Sequence, residues 1–269
     1  DPDVTVAIAD GNLTIPLSHD LPFTRAVHPG YSENLRRTIE CLADEQPACQ
    51  RATVVDVGAN VGDSVVLTNR SDVRFICIEG HPGFYEYLVH NTGHTENVTP
   101  VLAMVGAPGH RLSISTSNGT GSPDHTNSGV EARSLADIVG GTGRPQPISL
   151  LKVDTDGYDA EILESSFDWI RAERPTLFFE YDPSMQPDDA KPIRQVVAEL
   201  VEMGYRWLLV WGKEGDLIVA VEGDDVMDDL DLYVRRGQQL YFDICMTDDE
   251  GRFSRIRAAE HRAFAVGAK

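Results

Sequence analysis

The sequence predicts an α/β fold: a doubly wound, Rossmann-like sheet, mostly parallel, with antiparallel strands at one edge. Three observations lead there. Short apolar runs, at residues 52–57, 73–78, 148–153 and 176–181, alternate with amphipathic stretches of helical period. The runs lack polar alternation, as strands buried on both faces do. The first run ends in a glycine turn, Asp56-Val57-Gly58-Ala59-Asn60-Val61-Gly62, that opens a helix. Ligands of such sheets bind at the carboxyl ends of the strands, near the point where the strand order reverses.

Taken in order, residues 1–30 carry Pro2, Pro16, Pro22 and Pro29, which interrupt any long element. Within them, residues 4–17 read as a hairpin around a Gly-Asn turn. Leu35, Ile39 and Leu42 give residues 31–42 a helical stripe. Residues 1–51 together read as an N-terminal cap or lid before a catalytic domain at 52–269. Residues 62–68 open a helix, 73–78 form the second strand, and 82–91 form a helix with proline at its first position, where the missing N–H costs nothing. Residues 98–105 are the third strand. Residues 106–129 are rich in Gly, Ser, Thr, Asn and His and read as a long irregular insertion, a feature that is often functional. A short helix at 134–139 precedes the fourth strand at 148–153. Residues 157–170 read as one helix with Ile162, Leu163, Phe167 and Ile170 on one side. After the strand at 176–181, residues 189–203 carry the stripe Ile193, Val196, Val197, Leu200 and Val201, with Gly204 at the C-cap position. Residues 205–210 and 217–221 flank a Gly-Lys-Glu-Gly turn and read as a hairpin. A late strand at 240–246 and a terminal helix at 252–265 complete the chain.

Composition narrows the function. The 269 residues are 41% hydrophobic and 25% charged, which is ordinary for a globular protein and excludes overall disorder. No apolar run approaches the ~20 residues that a bilayer requires. Asp and Glu number 43 against 23 Lys and Arg, a net charge of -20. Such a field repels phosphate backbones and anionic lipids, so the expected partner is a small-molecule acceptor, with no nucleic acid and no membrane. Cys41, Cys49, Cys77 and Cys245 form no C-x-x-C pair, and the last two sit in apolar runs. That pattern predicts reduced cysteines and a cytoplasmic location. No signal-peptide pattern opens the chain, and Asp1 is not an initiator methionine, so a few natural residues are expected to precede it. The oligomeric state is not written in the sequence.

The glycine turn carries the sharpest chemistry. Gly58 permits a tight turn and close approach by a ligand, and Gly62 permits close packing of helix on strand. A G-x-G-x-x-G dinucleotide fingerprint has a different spacing, and Asp56 stands where its first glycine would be. Asp56 and Asp63 would both oppose a pyrophosphate. S-adenosylmethionine, with a sulfonium, an ammonium and one carboxylate, suits the loop better. Glu79 ends the second strand, ~20 residues on, where an acidic residue accepts from ribose hydroxyls. In Lys152-Val153-Asp154-Thr155-Asp156-Gly157, the alternation of a strand puts Lys152 and Asp154 on one side, with Asp154 at the carboxyl edge of the sheet. An Asp in that place is also a common helix cap.

Together these residues resemble the FkbM family of S-adenosylmethionine-dependent O-methyltransferases. The matching text is V-V-D-V-G-A-N-V-G at 54–62, F-I-C-I-E at 75–79, L-L-K-V-D-T-D-G-Y-D-A-E-I-L at 150–163 and P-T-L-F-F-E-Y at 175–181. Asn91 and the S-L-A-D at 134–137 also fit, and the likeness spans about residues 31–246. The K-x-D-T-D-G-Y-D block is its most specific part. The resemblance implies a class I methyltransferase sheet and methylation of a hydroxyl on a small natural-product or sugar-containing acceptor. It implies that Asp56, Gly58, Ala59, Asn60 and Gly62, with Asp63, hold the methionine part of the cofactor, that Glu79 holds its ribose, and that Ala103 and Met104 lie by its adenine. The family usually has Glu-Pro after the second strand. This chain has Glu79-Gly80-His81-Pro82, which puts Gly80 and His81 in that place.

Methyl transfer to a hydroxyl needs an aligned nucleophile and a destination for its proton. The candidates are Asp154, Glu180 and Tyr181, with His28 and His125 in polar segments as weaker ones. Asp154 and Glu180 could instead share Mg²⁺ to acidify the hydroxyl, since both offer oxygen ligands. No histidine or cysteine has zinc-ligand spacing. The competing readings are a nicotinamide-dependent oxidoreductase on the same fold, opposed by the glycine spacing, and a non-catalytic cofactor-binding relative.

Overall fold

In the computed structural model the described residues are 1–267 apart from 10, 48, 118–119, 126–128, 144–146, 188–189 and 237–239. The chain opens with an antiparallel hairpin, β1 (Asp3–Ile8) and β2 (Gly11–Pro16), then α1 (Leu21–Val27) and α2 (Glu33–Asp44). The first half of the main sheet follows as β3 (Ala52–Val57), α3 (Asp63–Thr68), β4 (Val73–Glu79), α4 (Pro82–Thr92) and β5 (Val98–Leu102). A small antiparallel sheet comes next, from β6 (Arg111–Ser117), β7 (Thr120–His125) and β8 (Val130–Glu131), in the order β7-β6-β8. The second half contains α5 (Leu135–Gly141), β9 (Leu150–Val153), α6 (Asp159–Ser165), α7 (Phe167–Glu173) and β10 (Thr176–Tyr181). It ends with α8 (Ile193–Glu202), β11 (Trp207–Gly212), β12 (Leu217–Glu222), α9 (Val226–Val234), β13 (Phe242–Thr247) and α10 (Glu250–Gly267).

The main sheet has the order β12-β11-β13-β10-β9-β3-β4-β5. From β5 to β10 neighbours are parallel; β13 lies antiparallel between β10 and β11. The chain runs outward from β3 to β5, then returns to β9 on the other side of β3. The order therefore reverses between β3 and β9, which opens a crevice at their carboxyl ends.

Both faces are covered, as uninterrupted apolar strands require. On one face Val55, Val57, Leu151, Val153, Leu177, Phe179 and Ile244 pack with residues of α5 to α9. On the other, Val54, Leu150, Phe178 and Cys245 pack with Leu35, Ile39 and Leu42 of α2 and Phe253 and Ile256 of α10. The α2 helix is thus a layer of the sandwich, and Arg37 ties it to buried Glu260 of α10 at 2.7 Å. Asn91 fixes the hairpin: its side chain exchanges hydrogen bonds with the backbone of Thr14 at 2.9 Å and donates to the Val61 carbonyl at 2.8 Å.

Four expectations need correction. Residues 106–129 are not simply irregular, because β6 and β7 both fall there; the alternation Arg111-Leu112-Ser113-Ile114 marks β6, and Leu112 is 1% exposed. The helix expected at 157–170 is two short helices. Ser165 sends its hydroxyl back to the Ile162 carbonyl at 3.1 Å, and the Ser166 N–H closes a tighter turn on Leu163. The helix expected from 189 starts at Ile193, because Lys191 precedes Pro192 and is steered out of helical geometry; residue 189 itself lies outside the described residues. Finally, α1 lies within residues 1–30, where the prolines suggest irregular chain. In α1 the proline sits in the first turn, where it is tolerated.

Candidate active site

The glycine loop fills the crevice between β3 and β9. Gly58 has φ +77°, and its N–H and that of Ala59 donate to the Ile78 carbonyl at 3.0 and 3.1 Å. A Cβ on Gly58 would lie 1.8 Å from the Asp154 carbonyl oxygen, so no other residue fits. Gly62 has φ +88°, and a Cβ there would meet Thr92 at 2.8 Å; its role is packing α3 on α4. Glu79 staples the neighbouring loops. It accepts from the Asn60 N–H at 2.8 Å and the His81 N–H at 2.7 Å, one on each oxygen. Burial raises its pKa against these two bonds. Each oxygen keeps a further lone pair for a ligand hydroxyl.

Two cavities meet at this loop, and Gly58, Asn60, Asp154 and Asp156 line both. The first, about 550 Å³, has Glu79 at one side and an apolar slot of Ile78, Ala103, Met104 and Ile114. A Cβ on Gly80 would strike the Met104 sulfur at 2.4 Å, so the slot depends on that glycine. A carboxylate beside an apolar slot suits a nucleoside. The second cavity, about 1150 Å³, is polar and is walled by the start of α1 and α2, Asp63, Lys152, Glu180, Tyr241 and Asp243.

Lys152 organises the boundary. Its ammonium lies 3.0 Å from Asp56 and 3.3 Å from Asp154, and donates to the Gly58 carbonyl at 3.3 Å. Burial, the largest influence, disfavours its charge, but Asp56, Asp154 and Asp63 outweigh it and hold the pKa well above the usual lysine range. The carboxylate of Asp154 stays 44% exposed at the mouth of both cavities. Asp159, behind it, accepts from the N–H and hydroxyl of Thr155 at 3.2 and 3.1 Å. Burial and Asp154 push Asp159 up to about 7.

Strand alternation decides which predicted residues arrive. Asp56, Lys152, Glu180 and Asp243 fall in the frame of Val54, Leu150, Phe178 and Cys245, the α2 side of the sheet. Tyr181 has the opposite parity. It is 0% exposed in the other core, and its hydroxyl donates to Asp231 at 2.6 Å, so it does not reach the site. Asp56 is also fully buried and lines neither cavity; it supports Lys152 from beneath. Ala59 is packed in the core, and His81 caps α4 by accepting from the Phe84 N–H at 3.3 Å. His28 sits 3.5 Å from Glu214, away from both cavities, and the side chain of His125 lies outside the described residues. Among the described residues, no three His, Cys, Asp or Glu side chains are arranged to hold a metal ion, so the shared Mg²⁺ of Asp154 and Glu180 finds no support. Residues not anticipated at the site are His19, Tyr31, Asn34, Tyr241 and Asp243. Parity could have found Asp243, the one carboxylate in an otherwise apolar strand.

The strand order, with its antiparallel β13 and a glycine loop at the reversal, defines a class I methyltransferase-type fold. The chain belongs to the FkbM methyltransferase family: the family described as "Methyltransferase FkbM domain" matches residues 56–207. No curated protein matches the chain. Among solved structures it is similar to methyltransferase FkbM from Methylobacillus flagellatus KT, at 16% identity over 51% of this chain and 38% of that one, with a TM-score of 0.34. The chain thus spans well under half the length of that relative. It is also similar to precorrin-6y C5,15-methyltransferase from Geobacter metallireducens GS-15, at 12% identity over 79% of this chain and 86% of that one, TM-score 0.42. A third is M. jannaschii TYW2 in complex with AdoMet, at 10% identity over 91% of this chain and 84% of that one, TM-score 0.43. No helix among the described residues is long and apolar enough to cross a membrane.

Proposed function

We propose that the protein is an S-adenosylmethionine-dependent O-methyltransferase whose acceptor is a hydroxyl of a small natural-product or sugar-containing molecule. The observation that carries this reading is the meeting, at Gly58 and Asp154, of a polar cavity with one that sets Glu79 beside an apolar slot. S-adenosylmethionine, when bound, supplies an electrophilic methyl group on a sulfonium. Glu79 would accept from the ribose, the slot of Ile78, Ala103 and Met104 would take the adenine, and Gly58 and Asn60 would face the methionine part. Asp154 orients the acceptor hydroxyl and takes its proton. Lys152, 3.3 Å away, holds that carboxylate in place.

The net charge of -20 supports a small-molecule acceptor over nucleic acid or an anionic membrane. The unpaired state of all four cysteines, two of them buried, supports a cytoplasmic setting. The test is transfer from S-adenosyl-[methyl-¹³C]methionine to a panel of hydroxylated acceptors. A labelled methoxy signal with stoichiometric S-adenosylhomocysteine supports the reading. Label on nitrogen or carbon would sink the O-methylation, and turnover of a nicotinamide instead would sink the whole assignment.

A further inference from the structure

The glycine loop has few donors left for the amino-acid end of S-adenosylmethionine. The N–H groups of Gly58 and Ala59 go to the Ile78 carbonyl, that of Gly62 to the Ala59 carbonyl, and that of Asn60 to Glu79. Lys152 is held by Asp56, Asp154 and the Gly58 carbonyl. An α-carboxylate brought to this loop needs a donor from elsewhere, because taking a carboxylate out of water without one is costly.

His19 offers that donor. It lines the polar cavity together with Asn60, Asp63 and Ser64. Its Nδ1 accepts from the Leu21 N–H at 3.2 Å, so the hydrogen of the neutral ring sits on Nε2. Nε2 faces the Asn60 Oδ1 at 3.4 Å, longer than a good N–H···O bond, and Asn60 borders both cavities. Asp20 lies on the Nδ1 side, at 3.8 Å, and is exposed to water.

The ring is fixed in advance. Leu13 and Ile15 of β2, both fully buried, pack with Leu21, with Val61 of the glycine loop, with Leu67 of α3 and with Phe84 of α4. The His19 N–H donates to the Pro16 carbonyl at 3.0 Å, and the imidazole meets the Phe84 ring edge-on with centroids 6.2 Å apart. A side chain already held by the core loses little freedom when a ligand binds.

We propose that His19 binds the α-carboxylate of S-adenosylmethionine through its Nε2–H, so that the N-terminal segment supplies a cofactor contact in place of the glycine loop. Asp63, on the same wall, can accept from the adjoining ammonium, and a donor beside an acceptor suits a zwitterion. The contact rests on the methyltransferase reading for the identity of the ligand, and its test separates the two.

Calorimetry compares S-adenosylmethionine with its decarboxylated analogue, S-adenosylmethioninamine, which keeps the adenosine, sulfonium and ammonium and lacks only the carboxylate. Each is titrated into the wild type, His19→Asn and His19→Phe. The asparagine side chain can still accept from the Leu21 N–H, and the phenylalanine ring can still pack on Phe84; both substitutions remove the Nε2 donor. The acidic walls favour the extra positive charge of the analogue in all three proteins, so the readout is the change in the ratio of the two dissociation constants. Both substitutions should move that ratio about tenfold toward the analogue, the scale of one charge-assisted bond, through weaker binding of S-adenosylmethionine alone. An unchanged ratio in either variant, including equal weakening of both ligands, overturns the contact and leaves His19 a structural residue. A wild type that binds both ligands with a ratio indifferent to His19 therefore sinks the contact alone. A wild type that binds neither ligand sinks the methyltransferase reading and the contact together.

Discussion

Replacing Lys152 with methionine keeps the length of the side chain and removes one charge from the centre of the site. The lysine side chain is 7% exposed and its partner Asp56 is 0% exposed, so water cannot replace the lost ammonium. Removing one member of a buried ion pair typically costs about 3–5 kcal/mol, mostly from the charge left behind. With total stability of about 5–15 kcal/mol, that is a large share. At a urea slope of about 2–3 kcal/mol per molar, the unfolding midpoint should fall by roughly 1–2.5 M. Urea titration followed by circular dichroism reads this directly. The cause is then isolated by adding Asp56→Asn, which removes the stranded charge and should recover about 1–3 kcal/mol. A Lys152→Met protein within about 1 kcal/mol of wild type would refute the reasoning. So would a second substitution that destabilises further instead of rescuing.

Asp154→Asn should lower kcat by about 10²-fold, the scale of a lost general base, with much smaller change in S-adenosylhomocysteine affinity by calorimetry; near-normal turnover would reduce Asp154 to a structural role. Tyr181→Phe should cost about 1–2 kcal/mol through the lost bond to Asp231 and leave kcat unchanged, because that hydroxyl lies on the far face of the sheet; a large fall in kcat without loss of stability would return Tyr181 to the site. Asp243 has a folded pKa raised to about 7, against about 3.9 unfolded. The folded state therefore binds the extra proton between those values, and this contribution to stability is present at low pH and lost as pH rises through about 7. Asp243→Asn should raise Tm more at pH 8 than at pH 5, and an equal shift at both would remove the carboxylate from that account.

The legible part of the fold follows from burial. Strands β3, β4, β9 and β10 are apolar on both faces, so their runs stand out, and the helices between them show a plain stripe. The small sheet of β6 to β8 did not stand out because Ser, Thr and Gly fill it and only Leu112 and Ile114 mark its alternation. At the site, Glu79 and the glycine loop were visible because their chemistry is local: a turn requiring Gly58, and a carboxylate at a strand end. Tyr181 was misplaced for a reason the sequence already contains. Neighbours on a strand face opposite sides, so Glu180 and Tyr181 cannot share a cavity. The same parity groups Asp56, Lys152, Glu180 and Asp243, but the position of β13 beside β10 is a matter of topology, with β11 and β12 formed before it in sequence. Asn34 and Tyr31 reach the site through the packing of α2 on the sheet, which no local pattern reveals.

The central claim is that the crevice between β3 and β9 binds S-adenosylmethionine with its ribose on Glu79. Calorimetric titration of S-adenosylhomocysteine into the wild type and Glu79→Ala tests it most directly. The account predicts one site in the wild type, a dissociation constant at least about tenfold weaker in Glu79→Ala from the loss of charge-assisted bonds, and no heat with NAD. Absence of binding by the wild type, or an unchanged constant in Glu79→Ala, would contradict it.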